Sequence, residues 1–225
     1  LEARLKRVRV AVSGHRLNQL PQTERPRIAG EIAHAFALIE DCAQAAAGAR
    51  VRVTLSSALA EGADRMAAHA ALARSWRLFA PLPFEAGEYE KDFGDETSIT
   101  EFRTLLSRAV RSQVAHHVGQ RSMGYAAANR LLLRGASVLV LVWNGAAPKG
   151  PGGTAEMGAI ALMQGKHVIW ISPDGANAPC LIAPTVNSAS PGHPGGRFAA
   201  RLLSRLSRAF PAIARPPAMQ VAEAS

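Results

Sequence analysis

Val138-Leu139-Val140-Leu141-Val142 is a fully apolar run, and Gly152-Gly153-Thr154-Ala155-Glu156 follows ten residues on. An uninterrupted apolar run of this length predicts a strand buried on both faces. The glycine pair predicts a turn, and Thr154 begins a helix-like segment that runs to Gln164. Thr154 suits the N-cap position, and Glu156 supplies an acid to the first turn. A buried strand, a glycine turn and a helix start together make an anion cradle in α/β proteins. Glycines admit close backbone approach, and the first N–H groups of the helix point outward without partners.

The rest of the chain alternates strand and helix patterns around this unit. Arg7-Val8-Arg9-Val10-Ala11-Val12 alternates polar and apolar residues and predicts the first strand. Ile28, Ile32, Phe36 and Ile39 recur at helical spacing, and Gly48 ends that helix. Val51–Leu55 and Trp76–Ala80 predict two more strands around an Ala-rich helix at 61–75. Phe102, Leu105, Leu106 and Ala109 give the next helix its apolar face, a weak strand is expected near 113–118, and 123–134 reads as a helix. His167–Ile171 is expected to be the last strand. This order predicts an α/β, Rossmann-like, doubly wound fold: a mostly parallel sheet with helices on both faces. In such sheets ligands bind at the carboxyl ends of the strands, where the strand order reverses. If the first strand and Val138–Val142 are neighbours, Ser13-Gly14-His15-Arg16 and the Gly152 loop face one crevice.

Two domains are expected. Residues 1–172 form the nucleotide-binding unit, and 173–225 a Pro/Gly-rich linker with a basic amphipathic helix. In that helix Arg197, Arg201 and Arg205 share one face, while Phe198, Leu202, Leu206 and Phe210 share another. Packing on the domain explains this short pattern better than a membrane-surface role.

Composition narrows the function. The chain has 225 residues, is 48% hydrophobic, and has no apolar run long enough to cross a bilayer. A cytoplasmic protein with no transmembrane segment is expected. Cys42 and Cys180 belong to no CxxC motif and are expected to be reduced. No metal or cofactor is expected, because the histidines lie apart and the acidic 81–96 segment adds no His or Cys at ligand spacing. That segment, with Glu85, Glu88, Tyr89, Glu90, Asp92 and Phe93, is expected to be a lid. The formal net charge is +9, yet the basic residues are scattered along the sequence and aromatics make up only 5%. The charge therefore reads as a solvated surface, and nucleic acid is the less favoured partner.

Candidate site residues follow from the loops. Ser13, Gly14, His15 and Arg16 form the first, with Arg16 able to grip phosphate bidentately and His15 able to donate or transfer a proton. Between the second strand and its helix stand Glu61, Gly62 and Asp64, the last able to accept from a ribose hydroxyl. By chemistry alone these also fit an ordinary helix start.

In order, Val12–Arg16, Leu55–Arg65, Tyr89–Phe93, Glu101-Phe102 with Leu105-Leu106, Tyr125, Val142–Gly145 and Gly152–Glu156 resemble the SLOG superfamily. This Rossmann-like group includes the Lonely-Guy phosphoribohydrolases and the DprA-type DNA-processing proteins. The resemblance covers about residues 7–172 and looks closest to a bacterial signalling and conflict-associated branch. It implies a pocket for a nucleotide-derived ligand. Gly14 and Arg16 would contact phosphate or line its loop, Gly62 and Asp64 flank the sugar, and Gly152, Gly153 and Thr154 hold phosphate. Tyr125 and Trp143 would border the base. The sequence departs from the family pattern at Ala58, where glycine is expected, and at Asn144, often aspartate. Glu156 follows Thr154 by one residue fewer than in the Lonely-Guy pattern, a rotation of about 100° around a helix.

Three functions follow: nucleotide sensing, cleavage of a nucleotide N-glycosidic bond, and DprA-like DNA binding. For the enzyme, Glu156, Asp64 and His15 are the candidate catalytic residues. A homo-oligomer is expected from the resemblance.

Overall fold

The computed structural model describes residues 5–147, 152–184 and 196–213. Its centre is one seven-stranded sheet in the order β4-β3-β2-β1-β5-β6-β7. The strands are β1 (Lys6–Gly14), β2 (Val51–Ser56), β3 (Arg77–Leu82), β4 (Arg111–Val114), β5 (Val138–Val142), β6 (His167–Ile171) and β7 (Cys180–Ile182). The first six run parallel, and β7 is antiparallel to β6. The helices are α1 (Arg25–Ala47), α2 (Ala63–Ala73), the single turn α3 (Ala86–Tyr89), α4 (Glu96–Arg108), α5 (Arg121–Leu133), α6 (Thr154–Met163) and α7 (Gly196–Ala209). The fold is α/β, Rossmann-like and doubly wound, as the alternation of patterns implies.

β5 is buried at all five positions, which explains its unbroken apolar run. Val138, Val140 and Val142 join the core under α1, α2, α4 and α7, whereas Leu139 and Leu141 face α5 and α6. β1 alternates because only one of its faces is apolar along the amino-terminal half. α1 starts with Pro26 in its first turn and stops at Gly48, which takes the left-handed conformation (φ 66°).

Two elements differ from expectation. β4 lies at Arg111–Val114 rather than 113–118, because an edge strand keeps polar residues at its exposed positions and shows no apolar rhythm. β6 is not the last strand: Cys180-Leu181-Ile182 adds β7 from inside the Pro/Gly-rich stretch. Leu181 exchanges backbone hydrogen bonds with the 211–213 segment at 2.8 and 3.1 Å. α7 packs on α1 with Leu202, Leu206 and Phe210 buried, while Arg197 and Arg201 stay exposed. Among the described residues no helix is long and apolar enough to cross a membrane, and no group of acids, histidines or cysteines could hold a metal ion.

Candidate functional site

β1 and β5 are hydrogen-bonded neighbours, from Val10 opposite Val138 to Gly14 opposite Val142. Successive strands proceed outward from this pair in opposite directions, so the order reverses between them. Their carboxyl ends open into a cavity of about 520 Å³. Ser13, Gly14, His15 and Arg16 form one wall; Gly152, Gly153, Thr154 and Ala155 form the facing one. Asp64, Tyr125, Trp143 and Asn144 complete the part expected from sequence.

The facing loops are joined across the switch point. The Asn144 backbone N–H donates to His15 Nε2 at 3.1 Å, so Nε2 is the acceptor of the ring and Nδ1 carries its proton. Asn144 Oδ1 accepts the Ala146 N–H at 3.1 Å and closes a tight turn, and Trp143 Nε1 donates to the Ala146 carbonyl at 3.0 Å. Gly152 (φ 85°) lies against α5, where a Cβ would come within 2.7 Å of the Tyr125 Cβ. Its carbonyl accepts from Asn129 Nδ2 at 3.1 Å.

Gly153, not Thr154, is the N-cap of α6, and Thr154 is its first helical residue. No side chain caps α6: Gly153 has none to offer, and the Glu156 carboxylate reaches back past the cap to accept the Gly152 N–H. Glu156 is therefore held back on its own loop and does not line the cavity. The first N–H groups of α6 lack intrahelical partners and lie at the wall.

Glu61 and Gly62 also stand outside the cavity lining. Glu61 accepts from Ser98 Oγ and from the Gly94 N–H at 3.1 Å, tying the β2–α2 loop to the start of α4. Gly62 (φ 94°) brings this loop against the first one, where a Cβ would sit 2.5 Å from the His15 carbonyl oxygen. Its function is thus to let two loops touch. Leu59 nearby takes a left-handed φ of 61°, and its carbonyl accepts from Arg65 Nε at 3.0 Å.

Asp64 is 6% exposed and still borders the cavity. Burial pushes its carboxyl up to about 7, against the opposing effects of the Ala60 N–H, Arg16 and the Ala58 N–H. Arg16 is the lone Lys or Arg among the described lining residues. It sits 3.6 Å from Asp92 Oδ2 and 5.8 Å from the Tyr125 ring centroid. Asp92 is held independently by Arg121 at 2.6 Å and by the Tyr125 hydroxyl. Arg16 can therefore turn to a ligand without leaving Asp92 unpaired.

The acidic 81–96 segment is a fixed wall rather than a loose lid. Tyr89 and Phe93 are buried against Phe102, with ring centroids 5.6 and 5.0 Å from it. Pro83 and Tyr89 line the cavity from this side. Sequence reasoning missed Asn129, Gln19 and the small residues Ala60 and Ala128. Asn129 carried a signal: an amide on the buried, Ala-rich side of a helix needs a partner.

No protein-family model and no curated protein matches this sequence. Solved structures of similar shape include DNA processing protein A from Streptococcus pneumoniae, 13% identical with a TM-score of 0.49, matched over 96% of this chain and 61% of that one. This chain thus spans under two thirds of that protein. Another is DNA processing protein A from Helicobacter pylori, described for its single-stranded DNA binding mode. It is 15% identical, with a TM-score of 0.44 over 72% of this chain and 64% of that one. The Moco carrier protein of Chlamydomonas rheinhardtii is 14% identical, with a TM-score of 0.40 over 97% and 96%. What these likenesses share with the present chain is the α/β, Rossmann-like sheet architecture. The switch-point crevice joins residues that stand far apart in sequence.

Proposed function

We propose that the crevice binds a nucleotide or nucleotide-derived signal and that the protein acts as its sensor. The observation that carries this reading is the pairing of two anion-seeking walls across the switch point: the α6 amino terminus with Gly152 and Gly153, and Arg16 opposite. A phosphate would take the α6 N–H groups and the Arg16 guanidinium. Asp64 would meet the sugar, and Tyr125 and Trp143 the base. On this reading the protein belongs with the bacterial signalling branch of the resemblance, acts in the cytoplasm and forms a homo-oligomer. Calorimetry with nucleoside monophosphates, cyclic nucleotides and ADP-ribose tests it. One of these binds, and Arg16→Gln weakens it at least tenfold; failure of all of them to bind ends this reading.

A second reading, N-glycosidic cleavage, has one observation in its favour: Asp64 borders the cavity with a carboxyl pKa of about 7, where it can exchange a proton at neutral pH. Ionised Asp64 would take a proton from water as its oxygen attacks the anomeric carbon. The C–N bond would break, and the departing base would receive the proton that Asp64 had taken. Glu156, bound to the Gly152 N–H, has no such access. Chromatography of nucleoside monophosphates and NAD after incubation tests it. Asp64→Asn abolishes turnover if the reading holds; absent or unaltered turnover removes it.

A further inference from the structure

The basic residues that are scattered in sequence converge on one face of the sheet. Along β1, Arg7 and Arg9 point away from Val8 and Val10, which enter the core with α1 and α2. Registered residues of neighbouring strands share a face. Arg52 therefore stands beside Arg7, while Arg77 stands beside Thr54, the partner of Arg9. Arg111 pairs with Phe79, two residues beyond Arg77. This is the face on which α5 and α6 pack, but those two helices leave the amino-terminal half of β1–β4 bare. Arg7, Arg52, Arg77 and Arg111 are exposed. Arg134, at the end of α5, joins them: its carbonyl accepts from Arg9 Nη1 at 2.8 Å.

The cluster is uncompensated. Among the described residues no carboxylate forms an ion pair with any of these six arginines. Phe79 lies beneath them, with the guanidinium carbons of Arg9 and Arg111 5.4 and 5.7 Å from its ring centroid. Burial first, and then the charges of Arg111 and Arg134, lower the pKa of Arg9. Cations held this close repel one another, and an external polyanion would relieve the repulsion.

We propose that this arginine face docks the phosphodiester backbone of a nucleic acid without reading its bases. Direct pairing, alternate residues and diagonals across neighbouring strands set successive arginine Cα atoms roughly 5 to 8 Å apart, a two-dimensional array of forks suited to a chain of phosphates. Phe79 is 7% exposed, so no aromatic surface stacks bases, and sequence has little to grip. The arginines occupy the amino-terminal ends of the strands, while the crevice opens at the carboxyl ends. The two sites are thus separate, and neither reading depends on the other.

Fluorescence anisotropy with a labelled oligothymidylate and a mixed-sequence strand, between about 50 and 200 mM salt, tests the proposal. Both strands bind with similar affinity, and the logarithm of affinity falls linearly with the logarithm of salt. Arg52→Ala with Arg77→Ala weakens binding roughly tenfold and reduces the slope by about 0.7 for each phosphate no longer neutralised. Arg52→Lys with Arg77→Lys keeps most of that slope, and Arg16→Gln in the crevice leaves affinity unchanged. Absence of binding at the lowest salt overturns the proposal. So does affinity indifferent to the Arg52 and Arg77 substitutions, or capture by phosphatidylserine vesicles when oligonucleotides fail.

Discussion

Burial holds the Asp64 carboxyl at a pKa of about 7, far above its usual 3.8, and this makes folding sensitive to pH. The folded state retains the proton more strongly than the unfolded chain does. The stability this confers is fully present below about pH 4 and is lost as pH rises through about 7. Asp64→Asn removes the ionisation while keeping an oxygen to accept the Ala58 and Ala60 N–H groups. Urea unfolding from pH 4 to 8 should show the wild type losing a few kcal/mol that the variant retains. Identical pH profiles would mean that Asp64 ionises without cost and that water reaches it.

At the scale of elements, α7 is an integral layer of the core. Leu206 is fully buried, and Leu202 and Phe210 flank it one turn away on each side. Leu206→Ala should lower stability by about 2 to 4 kcal/mol in chemical denaturation, with the transition still single. Arg197→Ala, on the exposed side, should change it by under about 0.5 kcal/mol. A Leu206 variant as stable as the wild type would show that α7 docks outside the cooperative unit. The sequence pattern revealed this helix because four apolar residues repeat at helical spacing. β7 escaped because its three residues, set between Pro179 and Pro184, are too few to establish a period. β4 was displaced for a related reason: Arg111, Ser112 and Gln113 are polar, as an edge permits.

At the scale of the whole molecule, charge is distributed unevenly. The ion pairs gather on the helices and the 85–103 segment, whereas the arginine-rich sheet face has none among the described residues. Added salt should therefore raise the thermal midpoint by screening repulsion more than it weakens exposed pairs. A scanning calorimetry series in sodium chloride checks this; a falling midpoint would place the balance with the ion pairs. The same contrast explains what could be read from sequence. Gly152, Gly153 and the β5 run announced the crevice, since glycine turns and buried strands are local patterns. The arginine face was hidden: each strand contributes one or two cations, and only register, which is not local, brings Arg52 beside Arg7. Glu156 and Glu61 looked like ligand contacts because a carboxylate near a helix start has the same appearance in sequence whether it faces a pocket or its own backbone.

The two crevice walls come from segments almost as far apart as the sheet allows, Ser13–Arg16 from β1 and Gly152–Ala155 from the start of α6. During synthesis the first wall leaves the ribosome well over a hundred residues before its counterpart. A nascent chain halted before α6 would carry Arg16 and Asp64 but lack the facing wall. A crevice with both walls thus forms only in molecules whose translation has passed β5 and whose two segments have met.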